Sequence, residues 1–314
     1  MNLTISICFL SYQRVNLLLK NLNNLVLCLE EYNDKSLIKI DIFDNNSNDV
    51  FLIDQFIKKI KNKNVSIYLH KNDKNIGYPS NLIKAISTVK ADYIWIFSDD
   101  DFFNFKKLHE LLNAVFKKKP DFCIANTINT NGTISPLGLP KNDSIFYHNP
   151  ELNHLLKKAL KIVQGKYPHL LSNNYVNKAI NYLVISISNS TLIQSDSHYV
   201  IQNLENGSYF YNEPKVRRQV FIFDLIDVYK FLSSFYSFNL SKKSLKLISN
   251  RYFGGYSLWY SLKKDNYLYI KDLIQIYRET NFKPVVGFLI YILPGFVLNF
   301  LRIINYKLKN INKS

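Results

Sequence analysis

Five short apolar runs, each followed by a polar turn and most by a segment of helical spacing, occupy the first 126 residues. TISICFL (4–10) is β-branched and apolar throughout, the pattern of a strand buried on both faces. Leu17, Leu18, Leu22 and Leu25 then recur at helical spacing. SLIKIDIF (36–43), NVSIYLH (64–70), DYIWIF (92–97) and DFCIAN (121–126) repeat the strand pattern. DVFLIDQFIKKIKNK, PSNLIKAISTVK and FKKLHELLNAVFKKK read as the intervening helices. Pro79 is expected at the first helical position, and Pro120 ends the fourth helix. Such alternation predicts an α/β fold, a mostly parallel sheet with helices on both faces.

Sheets of this kind bind ligands beyond the carboxyl ends of their strands. The segments that follow the first four strands are SYQR (11–14), DNNSND (44–49), KNDKNIGYPSN (71–81) and SDDD (98–101). All are rich in hydrogen-bonding groups, and the fold brings them to one edge. The last is the most demanding. Asp99, Asp100 and Asp101 are adjacent, flanked by apolar residues, in a chain whose formal net charge is +16. Neighbouring carboxylates repel, and an apolar setting strengthens the repulsion. One aspartate could cap the following helix. Three exceed that need and point to a divalent cation, Mg²⁺ or Mn²⁺, bridging carboxylate to phosphate. A cation on a diphosphate makes it a better leaving group.

The basic excess, 40 Lys and Arg against 24 Asp and Glu, suits anionic partners. The lysines are scattered over helix faces, and no zinc-finger spacing or RNA-binding aromatic–glycine signature occurs. Nucleic acid is therefore not expected. Three cysteines in apolar segments read as buried thiols of a cytoplasmic protein, and the six histidines are isolated. The opening MNLTISICFLSYQR has a short apolar run with no preceding positive charge, unlike a secretory signal.

Beyond residue 126 the pattern weakens. TNGTISPLGLPKND reads as a loop, ELNHLLKKALKIVQ as a helix and AINYLVISISN as a strand. Residues 197–219 read as a helix, a turn at Asn206-Gly207 and a strand, and 220–280 as mainly helical. Residues 281–314 carry five basic residues (Lys283, Arg302, Lys307, Lys309, Lys313) and no acidic ones. Their apolar run, 285–298, is broken by Pro294 and Gly295, and a span needs ~20 apolar residues. A basic amphipathic element on an anionic membrane surface fits better, with packing on protein as the alternative.

TISICFLSYQR, DIFDNNSND, NKNIGYPSNLIKAI and DYIWIFSDDDFF, in this order and spacing, resemble family 2 glycosyltransferases of the GT-A, Rossmann-like fold. Among these the chain looks most like bacterial O-antigen and capsule enzymes, including abequosyltransferase-like proteins. The resemblance implies a catalytic domain over 1–215, with 1–126 as the nucleotide-sugar half and 127–215 as the acceptor half. A helical extension (216–280) and a membrane-associating tail (281–314) complete the chain. It implies an inverting, metal-dependent transfer from a nucleotide-diphosphate sugar to a glycan acceptor, polyprenyl-linked, at the cytoplasmic face of the bacterial inner membrane. Ser11, Tyr12, Arg14 and Asp44 match nucleotide-pocket positions, and Asn75, Gly77 and Asn81 match the segment beside the sugar nucleotide. Asp99, Asp100 and Asp101 cover the family's D-x-D position, with Ser98 where many members have the first aspartate; Asp100 is favoured as a metal ligand.

The family's acceptor-side E-D pair is absent, so the base stays open among Asp196, His198 and Glu213. Ordinary structural roles compete: an Asx-turn or cap for Asp44, a surface position for Arg14, packing for Tyr12, a positive-φ turn for Gly77, a cap for Asp196. A nucleotidylyltransferase would carry a glycine-rich loop after the first strand, and a phosphatase its D-x-D there; LSYQR has neither. A catalytically inactive nucleotide-sugar-binding or membrane scaffold is the alternative from another class.

Overall fold

The computed structural model describes residues 3–32, 37–60, 65–129, 150–202, 213–234, 259, 262–280 and 285–292. The chain divides into two compact units, Met1–Asn206 and Gly207–Ser314.

The first unit is built on strands β1 (Ile5–Ser11), β2 (Ile38–Asp44), β3 (Ser66–Lys71), β4 (Tyr93–Ser98), β5 (Phe102–Phe103), β6 (Phe122–Asn129), β7 (Pro150–Leu152) and β8 (Thr191–Gln202). They form one sheet in the order β3-β2-β1-β4-β7-β6-β8-β5. β3, β2, β1 and β4 run parallel, as do β6 and β8, whereas β7 lies antiparallel between β4 and β6. All seven residues of β1 are buried, as a central parallel strand covered on both faces requires.

Ile5, Ile7 and Phe9 of β1, Ile38, Ile40 and Ile42 of β2, and Tyr93, Trp95 and Phe97 of β4 point to one face. There they meet helices α1 (Val15–Glu30), α2 (Val50–Ile60) and α4 (Phe105–Lys118) through Leu18, Leu22, Ile53, Leu108 and Leu111. Helices α3 (Gly77–Thr88) and α5 (Asn153–Lys166) cover the other face, and α6 (Val176–Ile187) packs beside α5. That second face carries a polar line: Ser6 Oγ donates to Asp41 Oδ2 at 2.5 Å, and His70 Nε2 lies 2.7 Å from Asp41 Oδ1.

The expected alternation over 1–126 is the observed one. Helix α3 begins at Gly77, so Pro79 is its third residue, still in the first turn where a missing N–H costs nothing. Downstream the structure corrects three assignments. Residues 179–189 are not a strand but lie mostly in α6, where nine consecutive residues, Val176–Val184, are buried; a short continuous apolar run reads alike as buried strand or buried helix. Residues 197–202 are not helical but complete β8. Residues 214–218, expected in a strand, form helix α7 (Pro214–Arg218), with proline at its start. The loop at 130–143 and the turn at Asn206-Gly207 lie outside the described residues.

The second unit is helical where described: α7, a π-helical turn (Gln219–Asp224), α8 (Leu225–Ser234), α9 (Ile270–Thr280) and α10 (Val285–Ile292). Arg218 grips the buried Asp272 with two hydrogen bonds, 2.7 and 2.5 Å. Gly287 packs where a side chain would not fit: a Cβ there would stand 2.6 Å from Leu273 Cδ2. No helix among the described residues is long and apolar enough to cross a membrane, and Pro294 and Gly295 lie outside them.

Candidate active site

Parallel strands in register deliver their C-terminal residues side by side. Ser11 pairs with Asp44 across β1 and β2, and Leu10 with Ser98 across β1 and β4, so Asp99 falls next to Ser11. Ser11, Asp44 and Asp99 are all buried, at 2%, 0% and 0% exposure. Asp44 Oδ1 has no hydrogen-bond partner among the described residues, and the Ser11 hydroxyl lies beside the Asp99 carboxyl, whose charged form it favours. Asp99 Oδ1 lies 3.0 Å from Arg14 Nη2, an ion pair without hydrogen-bond alignment. Buried oxygens left open are costly unless something else completes them.

Each aspartate behaves differently. Asp44 Oδ2 accepts the Ser47 N–H at 2.8 Å, so one oxygen makes the local turn while the other stays open. Asp99 Oδ2 accepts the Tyr12 N–H at 3.3 Å. Burial pushes the Asp99 carboxyl up to about 7, against the pull of Arg14 and with the help of Asp100. Asp100, more exposed, pairs with Arg14 Nη1 and accepts the Ser98 hydroxyl. Asp101 turns inward at 6% exposure, and its backbone carbonyl accepts Asn21 Nδ2 of α1 at 2.6 Å. The N-cap of α4 is Asn104, three residues beyond Asp101.

Arg14 is aimed by its neighbours. Gln13 adopts the left-handed conformation (φ 57°), donates its N–H to Ser47 Oγ at 2.8 Å, and accepts the Asn48 N–H. The loop after β1 is thus stitched to the loop after β2, and Arg14 leaves it at the N-cap of α1.

Asn75 and Asn81 belong to an asparagine network that sequence reasoning did not anticipate. Asn81 Nδ2 donates to the Phe43 carbonyl at 2.9 Å and its Oδ1 accepts from Asn72. Asn45 Nδ2 donates to Asn75 Oδ1, while Asn45 Oδ1 accepts from Asn72 and from the Ile76 N–H. Asn75 Oδ1 also takes the N–H of Gly77, which holds φ +79°. Lys84 Nζ reaches Asn72 Oδ1 at 2.6 Å. The only trace of this network in the sequence is the density of asparagines in 45–48 and 72–81.

Asp196 and His198 lie on β8. Ala125 pairs with Gln194 and Asn126 with His198, so Ser195, Asp196 and Ser197 fall between consecutive β6 partners, a bulge. Glu213 is exposed, at the N-cap of α7 in the second unit.

Residues 6–169 match the model of glycosyl transferase family 2. The chain belongs to glycosyltransferase family 2. The match runs from β1 through α5, and so contains the strand-end row and the acidic run. This glycosyltransferase is similar in structure to S. aureus TarS 1-349 in complex with UDP-GlcNAc, at 14% identity, 90% of each chain covered and TM-score 0.54. It is also similar to the mannosyltransferase PcManGT from Pyrobaculum calidifontis, in complex with GDP-Man and Mn²⁺: 10% identity, 91% of this chain and 78% of that chain covered, TM-score 0.55. At such identities the likeness establishes the GT-A fold. A comparison with curated proteins finds no match.

A divalent cation is the group this fold commonly uses. Among the described residues no cluster of three or more His, Cys, Asp or Glu side chains could hold one alone. Asp99 and Asp100 nevertheless fit it: hard oxygen donors on adjacent residues, one buried and imperfectly partnered. Two carboxylates are what a protein supplies when substrate phosphates complete the shell.

Proposed function

We propose that the chain moves a sugar, with inversion, from a nucleoside-diphosphate donor to a lipid-linked glycan acceptor in bacterial surface-polysaccharide synthesis. The supporting observation is the buried row of Ser11, Asp44 and Asp99, with Asp44 Oδ1 left open, beside the Arg14-bridged carboxylates at the carboxyl edge of the parallel strands. Such a row suits the hydroxyl and N–H groups of a nucleoside. The donors held by TarS and PcManGT favour the same ligand class.

In this reading Asp44 and Ser11 accept hydrogen bonds from the base or ribose, and the Tyr12–Arg14 segment lines the nucleotide. Asn75, Gly77 and Asn81 shape the adjoining loop rather than grip the donor, since both asparagine side chains already serve the protein. Asp99 and Asp100 would hold Mg²⁺ or Mn²⁺, which when bound neutralises charge on the departing diphosphate. Asp101 ties the acidic run to α1. Asp196 takes the acceptor hydroxyl proton as that oxygen bonds to the sugar carbon and the sugar–diphosphate bond breaks. Asp196 has no partner on β6, whereas His198 pairs with Asn126 between two register shifts, and the unpaired bulge position favours Asp196.

For the second unit we propose an anionic membrane surface at the inner leaflet. Ile270, Ile274 and Tyr277 of α9 are exposed at helical spacing, as are Leu289 and Ile292 of α10, and residues 293–314 add four basic residues and no acidic one.

The test is a thermal-shift screen of UDP, GDP, CDP and dTDP with Mn²⁺, followed by turnover of the matching nucleotide sugar. Stabilisation by one nucleotide, with hydrolysis lost by at least ~100-fold in Asp100→Ala, supports the enzyme. Binding without turnover on any donor and acceptor points to a scaffold instead.

A further inference from the structure

We propose that Arg14 is a displaceable internal counter-ion that makes cation binding conditional on nucleotide. The inference rests on the donor reading above. A single guanidinium bridges two adjacent carboxylates, Nη2 to Asp99 and Nη1 to Asp100. It therefore occupies the oxygens that a divalent cation needs. The pairing is unequal in a useful way. Asp99 is fully buried, whereas the Arg14 side chain is 31% exposed and has room to swing outward. Its backbone does not share that freedom, because Gln13 is tied to Ser47 and Asn48.

Charge decides the sequence of events. With both carboxylates ionised, they and the one guanidinium leave the cluster at −1. A divalent cation arriving alone must expel the guanidinium or accept a net +1 in a partly buried site, and either is unfavourable. A cation arriving with a diphosphate brings its own negative charge. The displaced guanidinium then gains phosphate oxygens, for which its planar fork is suited. Cation and nucleotide bind cooperatively as a result, and by linkage the coupling is reciprocal.

The experiment measures Mn²⁺ binding to the full chain by the electron paramagnetic resonance of free Mn²⁺, with and without the nucleoside diphosphate that stabilises the wild type. The wild type should bind Mn²⁺ alone weakly and about tenfold or more tightly with nucleotide. Arg14→Gln should bind Mn²⁺ alone about tenfold more tightly than the wild type, with the gain from nucleotide correspondingly reduced. Arg14→Lys, which keeps the charge but not the fork, should fall between the two and serves if Arg14→Gln does not fold. A wild type that binds nucleotide while neither variant gains affinity for Mn²⁺ alone overturns this inference only. A wild type stabilised by no nucleoside diphosphate overturns the donor reading and this inference with it.

Discussion

Asn81 and Phe43 are joined across the sheet edge: the Asn81 amide nitrogen of α3 lies 2.9 Å from the Phe43 carbonyl oxygen of β2. Asn81 is 2% exposed and also accepts from Asn72, so its work is to fix where β2 ends. Asn81→Ala should cost about 1–3 kcal/mol, since it strands a buried carbonyl and a buried amide. Urea denaturation reads this directly. Unchanged stability with weakened nucleotide binding would instead make Asn81 a donor contact.

Gly77 holds φ +79° at the start of α3, and an added Cβ would meet only Pro79 Cδ at 3.8 Å. Space is available, so the penalty of Gly77→Ala is one of backbone conformation, about 1–2 kcal/mol. Gly77→Asn should cost less, because asparagine tolerates the left-handed region. Thermal melts of both variants check the order.

Glu151 sits in the middle of the sheet, opposite Ile94 and Phe122, with Oε2 unpartnered among the described residues. Burial raises its carboxyl well above the ordinary range. The folded chain therefore holds this proton more tightly than the unfolded chain. Its contribution to stability is intact below the unfolded value near 4.5 and declines as pH rises above it toward the folded value. Glu151→Gln should stabilise the protein at pH 8 by about 1–3 kcal/mol and make almost no difference at pH 4. Denaturation at both pH values tests the sign; an equal effect at both would contradict it.

Arg218 and Asp272 hold the second unit together, with Asp272 1% exposed. Arg218→Met leaves a buried charge alone and should cost about 3–5 kcal/mol. Arg218→Met combined with Asp272→Leu should recover most of that loss, since removing both charges leaves none unpaired. Hydrogen exchange in α9 reports the difference.

The half of the fold that carries the site was legible because its strands are central and parallel. Continuous apolar runs such as Ile5–Leu10 admit few other readings once helical spacing follows. Val176–Ile187 failed because its apolar run Tyr182–Ile185 is short and continuous, and such a run does not distinguish a buried strand from a buried helix. The acidic run announced itself by composition. That the Asp101 carbonyl meets α1, that Arg14 bridges the other two, and that Asn45 and Asn72 knit the loops depend on residues 27 to 86 positions apart. Pairings of that kind have no local signature. The bulge at Asp196 depends likewise on the register of β6 against β8.

Phe102 and Phe103, just past the aspartates, pair antiparallel with Ile201 and Val200 of β8. The run proposed to hold the donor's cation and the strand proposed to deprotonate the acceptor are thus neighbours in one sheet. Their separation is set by hydrogen-bond spacing rather than by a tether. On that reading, the span from bond breaking to proton removal is built into the sheet, and loops beyond it can vary without altering it.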